Sequence, residues 1–492
     1  MSPSLAAGAT VRPADPAPAA RPTRPAPLRL EPLPLLVGVP PMDVAEAFRD
    51  LHGLALLESA RPGRNARWTF LTADPLAVLD SPSPGDDPFA AARALLGRSA
   101  ADHRPVAGPP FLGGLVGFLG YELGRRLLRL PGDRAMRDDP ATTGIPDLRL
   151  ALHDWVIAWD RRDGMAWLGG RAVDGDAGQL DRRLRAVQAR LDELLFGRLP
   201  MAPAGDVPSL AFRSRTSRAA WLDGVEAVRD AISRGEIYQA NLTRRLEVPF
   251  SGDPWSIYRR LRTGDPALFA AHLDLGGRRA LSSASPEPFL AVDPSGRITT
   301  DPIKGTRPRG GDRAQDRALA AELLASGKDR AENVMIVDVL RNDLGRVSVP
   351  GSVRVPRLLR LERTAAVQHL VSTVTGQLRP GLDPLHLLAA AFPGGSITGA
   401  PKRRAAELLE GWEPVRRGPY TGALGWIGPD GAMASSILIR TFVADGEALA
   451  LHVGGGITWR SDPAEEWAET VAKAAGPLRA IGARELDAGH DG

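Results

Sequence analysis

SGKDRAENVMIVDVLRNDLGRV, Ser326 to Val347, is the stretch on which the reading of this chain turns. Ser326 is placed to cap a helix, and Asp329 and Glu332, three residues apart, then fall on one face of it. A second acidic helix start lies in SDPAEEWAET, Ser461 to Thr470. There Asp462 is the expected cap, Pro463 occupies the first helical position and Glu465 follows three residues after the cap. Glu466 and Glu469 then share a face. One or two hard carboxylate ligands, with the remaining positions left to water and substrate, are what magnesium prefers. Two such faces meeting across a cleft would suit one ion, although each pattern alone reads first as a solvated helix face.

Working outward, DPIKGTRPRG (Asp301 to Gly310) sets a lone lysine, Lys304, between a proline-fixed approach and a Gly-Thr turn. To attack carbon, its amine must be neutral, which needs desolvation or nearby positive charge. Taken alone, it reads first as a solvated turn lysine. Glu287, between Pro286 and Pro288, is a candidate general acid if half-buried, and otherwise a turn carboxylate in water. FPGGSITGAPKRRAAELLE (Phe392 to Glu410) enters a helix near Pro401 and leaves amides free for an anion. LHVGGGITW (Leu451 to Trp459) is the second glycine-rich stretch. Neither is closed by Gly-Lys-Ser/Thr, so neither is a Walker A loop.

Composition limits the alternatives. The chain has 492 residues, is 43% hydrophobic and 24% charged, and carries a formal net charge of +4. It can bury one large core or two medium ones. No dense basic stripe with interleaved aromatics argues for nucleic acid. No apolar run approaches the roughly 20 residues of a membrane span, so a soluble, cytoplasmic protein is expected. There is no cysteine, which excludes disulfides, thiolate metal sites and a cysteine nucleophile. Residues 1–30, rich in Ala and Pro and without an apolar signal core, are expected to be a disordered tail. Leu180, Leu184, Val187, Leu191 and Leu194 predict a helix over Gln179–Leu195. The Pro/Gly-rich Gly197–Pro208 stretch places the main boundary after it, dividing residues 31–200 from a motif-dense 201–485. In the first part, Leu56 to Ser59 reads as a strand, and GGLVGFLGYELGRR (Gly113 to Arg126) as close backbone packing.

In order, YQANLTRR (Tyr238 to Arg245), SASPEPF, PIKGT, AENVMIVDVLRNDLGRV, FPGGSITGAPK, GPYTGALGWI, ILIRT, GGGI and SDPAEEWAETVAKA resemble the successive blocks of the chorismate-utilising family. Nine ordered blocks cover nearly all of Thr216 to Ile481. The resemblance implies an α+β fold of large, mostly antiparallel sheets packed together and flanked by helices.

It also implies roles. Glu332 and Glu469 would hold Mg2+, with Asp329 and Glu466 as supporting acids. Lys304 would add to the chorismate ring at C2 while Glu287 protonates the departing C4 hydroxyl, after which ammonia would enter at C4 and expel the lysine. Arg440 and Lys473 match the family's carboxylate and electrostatic residues, with Tyr420, His369, Thr398 and Gly454, Gly455 and Gly456 lining the pocket. Lys304 resembles the family's C4-aminating branch, whereas the C2-aminating branch usually has alanine there. Gln239 stands where water-adding relatives usually carry a lysine, which favours ammonia. The family's glutaminases use a cysteine, so a separate glutamine amidotransferase subunit is the expected partner. Leu57, Glu58 and Ser59 match a region where relatives can hold tryptophan. Two departures stand out: Asp301 replaces a frequent arginine, and Trp467 a frequent tyrosine. The rival expectations are C2 amination with loss of pyruvate, and a catalytically silent binding protein. Only a short tail follows the last block, so no fused lyase is expected.

Overall fold

The computed structural model describes residues 27–61, 66–99, 108–131, 144–197, 209–364 and 367–486. Two large sheets dominate it. The first runs Leu28–Pro32, Ala166–Arg171, Trp155–Asp160, Trp68–Thr72, Ala55–Glu58, Phe269–Gly276, Arg279–Ser285, Thr441–Asp445, Ala448–Ile457, Gln239–Pro249, Ala211–Ser214 and Arg484–Glu485. The second runs Ile303–Pro308, Val367–Gln377, Arg297–Thr300, Pro288–Val292, Met433–Ile437, Ala423–Ile427, Gly114–Leu119, Leu148–His153 and Ala77–Leu79, with Arg354–Arg363 added on Val367–Gln377. Neighbours are antiparallel except Arg484–Glu485 against Ala211–Ser214. With helices around these sheets, the architecture is the expected α+β one.

Both sheets draw strands from each side of residue 200. Leu57 pairs with Ala271 in the first sheet, and Gly425 with Gly117 in the second. One apolar cluster fills the space between them: Phe70 and Leu273 come from the first sheet, Val116, Leu424 and Trp426 from the second. Phe70 meets Trp426 edge-on with centroids 5.8 Å apart, a favoured aromatic geometry. Alternating patterns show where a strand is, not which distant strand completes it. The Gly197–Pro208 break itself lies mostly outside the described residues.

The expected tail is corrected at its end. Leu28–Pro32 is an edge strand on Ala166–Arg171, Leu28 and Leu30 pack on the inter-sheet cluster, and Arg29 pairs with Asp181 at 2.8 Å. Alternation of two leucines with an arginine outweighs the Pro/Ala-rich context; residues 1–26 lie outside the described residues. The predicted amphipathic helix spans Ala177–Leu195, capped by Asp176, and buries Leu180, Leu184, Val187 and Leu191. No helix among the described residues is long and apolar enough to cross a membrane.

Candidate active site

Two helices and the strands Ile303–Pro308, Gln239–Pro249 and Ala448–Ile457 line the site, and the helix starts explain much of its geometry. Ser326 caps the Gly327–Gly345 helix, its hydroxyl accepting from the Asp329 amide at 3.2 Å. Asp462 caps Pro463–Ala480, accepting from the amides of Ala464 and Glu465 at 2.9 and 3.0 Å. Both acidic faces read from the sequence therefore start where expected. Against the first of these helices runs Ile303–Pro308, whose Gly305 has a φ of +80°. A Cβ there would meet Asp329 Cβ and Leu323 Cδ1 at 2.9 Å. Glycine is thus required for both conformation and space, and it lets the helix lie directly against the strand of Lys304.

The result is a cleft of ≈ 530 Å³; a smaller cavity of ≈ 330 Å³ lies elsewhere, on other elements. The larger is lined by Asn241, Lys304, Thr306, Arg307, Lys328, Asp329, Glu332, Gly456, Glu469 and Lys473. Lys304 Nζ donates to the Ser396 carbonyl at 3.5 Å, and Ser396 Oγ donates to Glu287 Oε1 at 3.1 Å. One serine from the glycine-rich loop therefore touches both the lysine and the carboxyl read as nucleophile and acid. Burial pushes the Glu287 carboxyl above its ordinary value, partly offset by the charge of Lys304, the Ser396 hydrogen bond and Lys473. Such a carboxyl keeps its proton to higher pH than one in water, as a general acid requires.

The acids are balanced by cations. Burial raises Glu332, against the charges of Lys304 and Lys328 and with the charges of Asp329 and Glu469. Burial also raises Glu466, whose Oε1 accepts from Ser461 Oγ at 2.6 Å. Glu469 feels the same burial, but Lys473, 2.7 Å away, leaves it below its usual value. Lys473 also donates to the Gly454 carbonyl at 2.8 Å, and Arg307 stands 3.4 Å from Asp329. Glu332 Oε1 and Glu466 Oε2 are buried without a hydrogen-bond partner. Unsatisfied buried carboxylate oxygens are costly, and hard oxygen donors are what magnesium binds. No ready-made group of three or more acids or histidines is assembled among the described residues. The unpartnered oxygens of Glu332 and Glu466 are donors of the kind a hard divalent ion takes when the chain supplies one or two carboxylates.

The glycines 454–456 lie on Ala448–Ile457, paired with Gln239–Pro249. A Cβ on Gly455 would stand 3.0 Å from Glu466 Oε2, and one on Gly456 2.4 Å from Gln239 Nε2. Neither polar atom of the Gln239 amide has a partner, though the residue is 1% exposed. On Gly454 a Cβ would stand 2.4 Å from the Leu242 carbonyl oxygen. Gly454→Ala is expected to cost about 1–3 kcal/mol or more in chemical denaturation, since a backbone oxygen can yield only by opening the sheet.

Not every expected residue lines the cleft. Tyr420 is buried and stacks on His452 at 5.2 Å; Thr398 is fully buried. His369 Nδ1 lies 2.9 Å from Thr306 Oγ1, and burial, with the charges of Arg61 and Arg440, lowers its pKa to about 4. Arg440 is about half exposed and pairs with Asp265 at 3.6 Å, outside the cleft lining. Asp301 accepts from Thr373 Oγ1 at 2.6 Å and is buried in the sheet rather than lining the cleft. Sequence reading missed Lys328, Arg307, Asn241 and Ser396, although all four lie inside the blocks quoted above. It also missed Arg417, fully buried, which donates to the carbonyls of Ile397 and Asn241 at 2.8 and 2.6 Å and to Glu413 at 2.7 Å. That cation ties the glycine-rich loop to the strand beneath it, and only the fold brings those partners together.

Leu57, Glu58 and Ser59 line the smaller cavity with Trp68, Phe70 and Trp426. Glu58 accepts from Tyr258 Oη at 2.5 Å and from Arg262 at 3.2 Å.

Comparison with known proteins gives the family of the chain. Anthranilate synthase component 1 of Streptomyces coelicolor is 39% identical over 437 residues, 87% of this chain and 83% of that protein. Aminodeoxychorismate synthase component 1 of Escherichia coli is 40% identical over 425 residues, 83% of this chain and 88% of that one. The crystal structure of anthranilate synthase component I from Streptococcus pneumoniae aligns with a TM-score of 0.73 at 29% identity, covering 85% of this chain and 93% of that one. The family model described as chorismate binding enzyme matches residues 55–479, and the chain belongs to that family.

Proposed function

We propose that this protein is the chorismate-aminating subunit of an aminodeoxychorismate synthase. It replaces the C4 hydroxyl of chorismate by an amino group and so supplies the precursor of p-aminobenzoate for folate synthesis. The observation that carries the reading is Lys304 in the cleft, linked through Ser396 to Glu287. Relatives of both aminating activities are about equally similar, so overall identity does not choose between them. Lys304 does, because it supplies a nucleophile where the C2-aminating branch usually has alanine.

In this mechanism the Lys304 amine forms a bond to ring C2 and both ring double bonds shift toward C4. The C4–O bond breaks in the same step as Glu287 donates its proton and water leaves, and the proton lost by the lysine nitrogen makes good the one Glu287 gave. Ammonia next bonds to C4, both double bonds shift back and the C2–N bond to Lys304 breaks, the surplus proton of ammonia passing to the departing nitrogen and restoring the amine. Glu332 and Glu469, supported by Asp329 and Glu466, would hold Mg2+, which when bound draws electron density toward the ring carboxylate. The chain has no cysteine, so the ammonia is read as coming from glutamine through a separate amidotransferase subunit. The cytoplasm is the expected compartment.

Withholding ammonium tests the covalent step. Intact-protein mass is expected to gain one chorismate less one water, on the peptide carrying Lys304. A chain that turns over but carries no such adduct, or carries it elsewhere, contradicts the mechanism.

A second reading, anthranilate synthase component I, is favoured by the similarity to such enzymes in both sequence and structure. By the same resemblance, the cavity at Leu57, Glu58 and Ser59 is read as a tryptophan site. Tryptophan should then raise the melting temperature, and an unchanged melt would refute it.

A further inference from the structure

Lys328 is the second residue of the Gly327–Gly345 helix, where the positive end of the helix dipole disfavours a cation. Choices that run against local electrostatics gather at functional sites. Its ammonium stands 3.8 Å from Glu466 Oε1, with 48% of the lysine side chain exposed against 5% of the glutamate's. Its charge acts on Glu332, Glu466 and Glu469 together, and it lines the cleft beside two of them.

The other lysines of the cleft are tied by hydrogen bonds: Lys473 to the Gly454 carbonyl and Lys304 to that of Ser396. At 3.8 Å the Lys328 contact is electrostatic rather than a hydrogen bond. This lysine can therefore swing away without breaking a directed contact. Glu466, 4% exposed, meanwhile keeps Oε2 unpartnered against Gly455.

We propose that Lys328 is a displaceable counter-cation: it competes with a divalent cation for Glu466, Glu332 and Glu469, and once displaced it pairs with a carboxylate of the bound substrate. The inference rests on reading these acids as the magnesium site. It couples the two ligands, because the ion frees a lysine for the substrate and the substrate holds that lysine off the acids.

Calorimetric titration of the full chain with magnesium chloride, without substrate, tests the first half. Lys328→Met is expected to bind magnesium about fivefold tighter than the wild type, as removal of one nearby positive charge requires. Lys328→Arg, which keeps the charge, should stay within about twofold of the wild type. Repeating the titration with chorismate and no ammonium tests the second half: magnesium affinity should rise in the wild type and rise less in Lys328→Met. Equal or weaker magnesium binding by Lys328→Met overturns the competition, and an undiminished rise overturns the substrate pairing. If neither wild type nor variant binds magnesium, the metal reading falls together with this one.

Discussion

Lys304→Ala is expected to lower C4 amination of chorismate by on the order of 10³-fold, the scale of losing a covalent nucleophile. The fold should survive, since the side chain is only partly buried and its hydrogen bond to the Ser396 carbonyl is long. Steady-state rates with ammonium as nitrogen donor, beside a circular-dichroism melt, separate the two effects. Lys304→Arg sharpens the test. It keeps a positive charge beside Glu287 but stays protonated and cannot attack carbon, so it should be as inactive as alanine. An arginine variant within about tenfold of the wild type would mean that Lys304 acts by its charge, and the adduct would have to be abandoned.

Glu287→Gln is expected to cost about 10²- to 10⁴-fold in kcat, the range for loss of a positioned general acid. The pH profile carries more information than the loss. Burial raises the Glu287 carboxyl above its ordinary value, while Lys304, Ser396 and Lys473 pull it partly back. The acid must be protonated to act, so activity should be present below this raised value and fall as pH climbs through it. Measured at constant free ammonia, the wild type should show that alkaline limb and Glu287→Gln should lack it. An identical limb in the variant would assign the titration to another group.

Much of the site was legible in the sequence because its parts are local. Ser326 and Asp462 announce helix starts through caps that need only three or four residues, and those starts carry Asp329, Glu332, Glu466 and Glu469. Resemblance then implied the roles proposed for Lys304 and Glu287, and the structure brings the two to one serine. What stayed hidden depends on contacts across long separations. The Ser396 bridge joins residues about a hundred positions apart in the chain, and Arg417 reaches Asn241 across 176. Lys328 was quoted but passed over, because a lysine at a helix start looks like any solvated charge until Glu466 is seen beside it. The pairing across residue 200 was hidden for a similar reason. The proline and glycine content there marks a break in the chain, and Leu57 with Ala271 and Gly425 with Gly117 make the two sides share both sheets.

Arg440 marks a different limit. Resemblance made it a substrate-carboxylate residue, yet its guanidinium pairs with Asp265 at 3.6 Å, about half exposed and outside the cleft lining. Its charge nonetheless reaches His369, which is hydrogen-bonded to Thr306 in that lining.

The most direct test of the central claim is the identity of the product. The purified chain would be incubated with chorismate, magnesium and ammonium near pH 8, aminodeoxychorismate lyase added, and the products identified by mass and fluorescence, with a parallel sample given glutamine in place of ammonium. The account predicts p-aminobenzoate with ammonium and none with glutamine alone; blue-fluorescent anthranilate, salicylate or unchanged chorismate in the ammonium sample would contradict it.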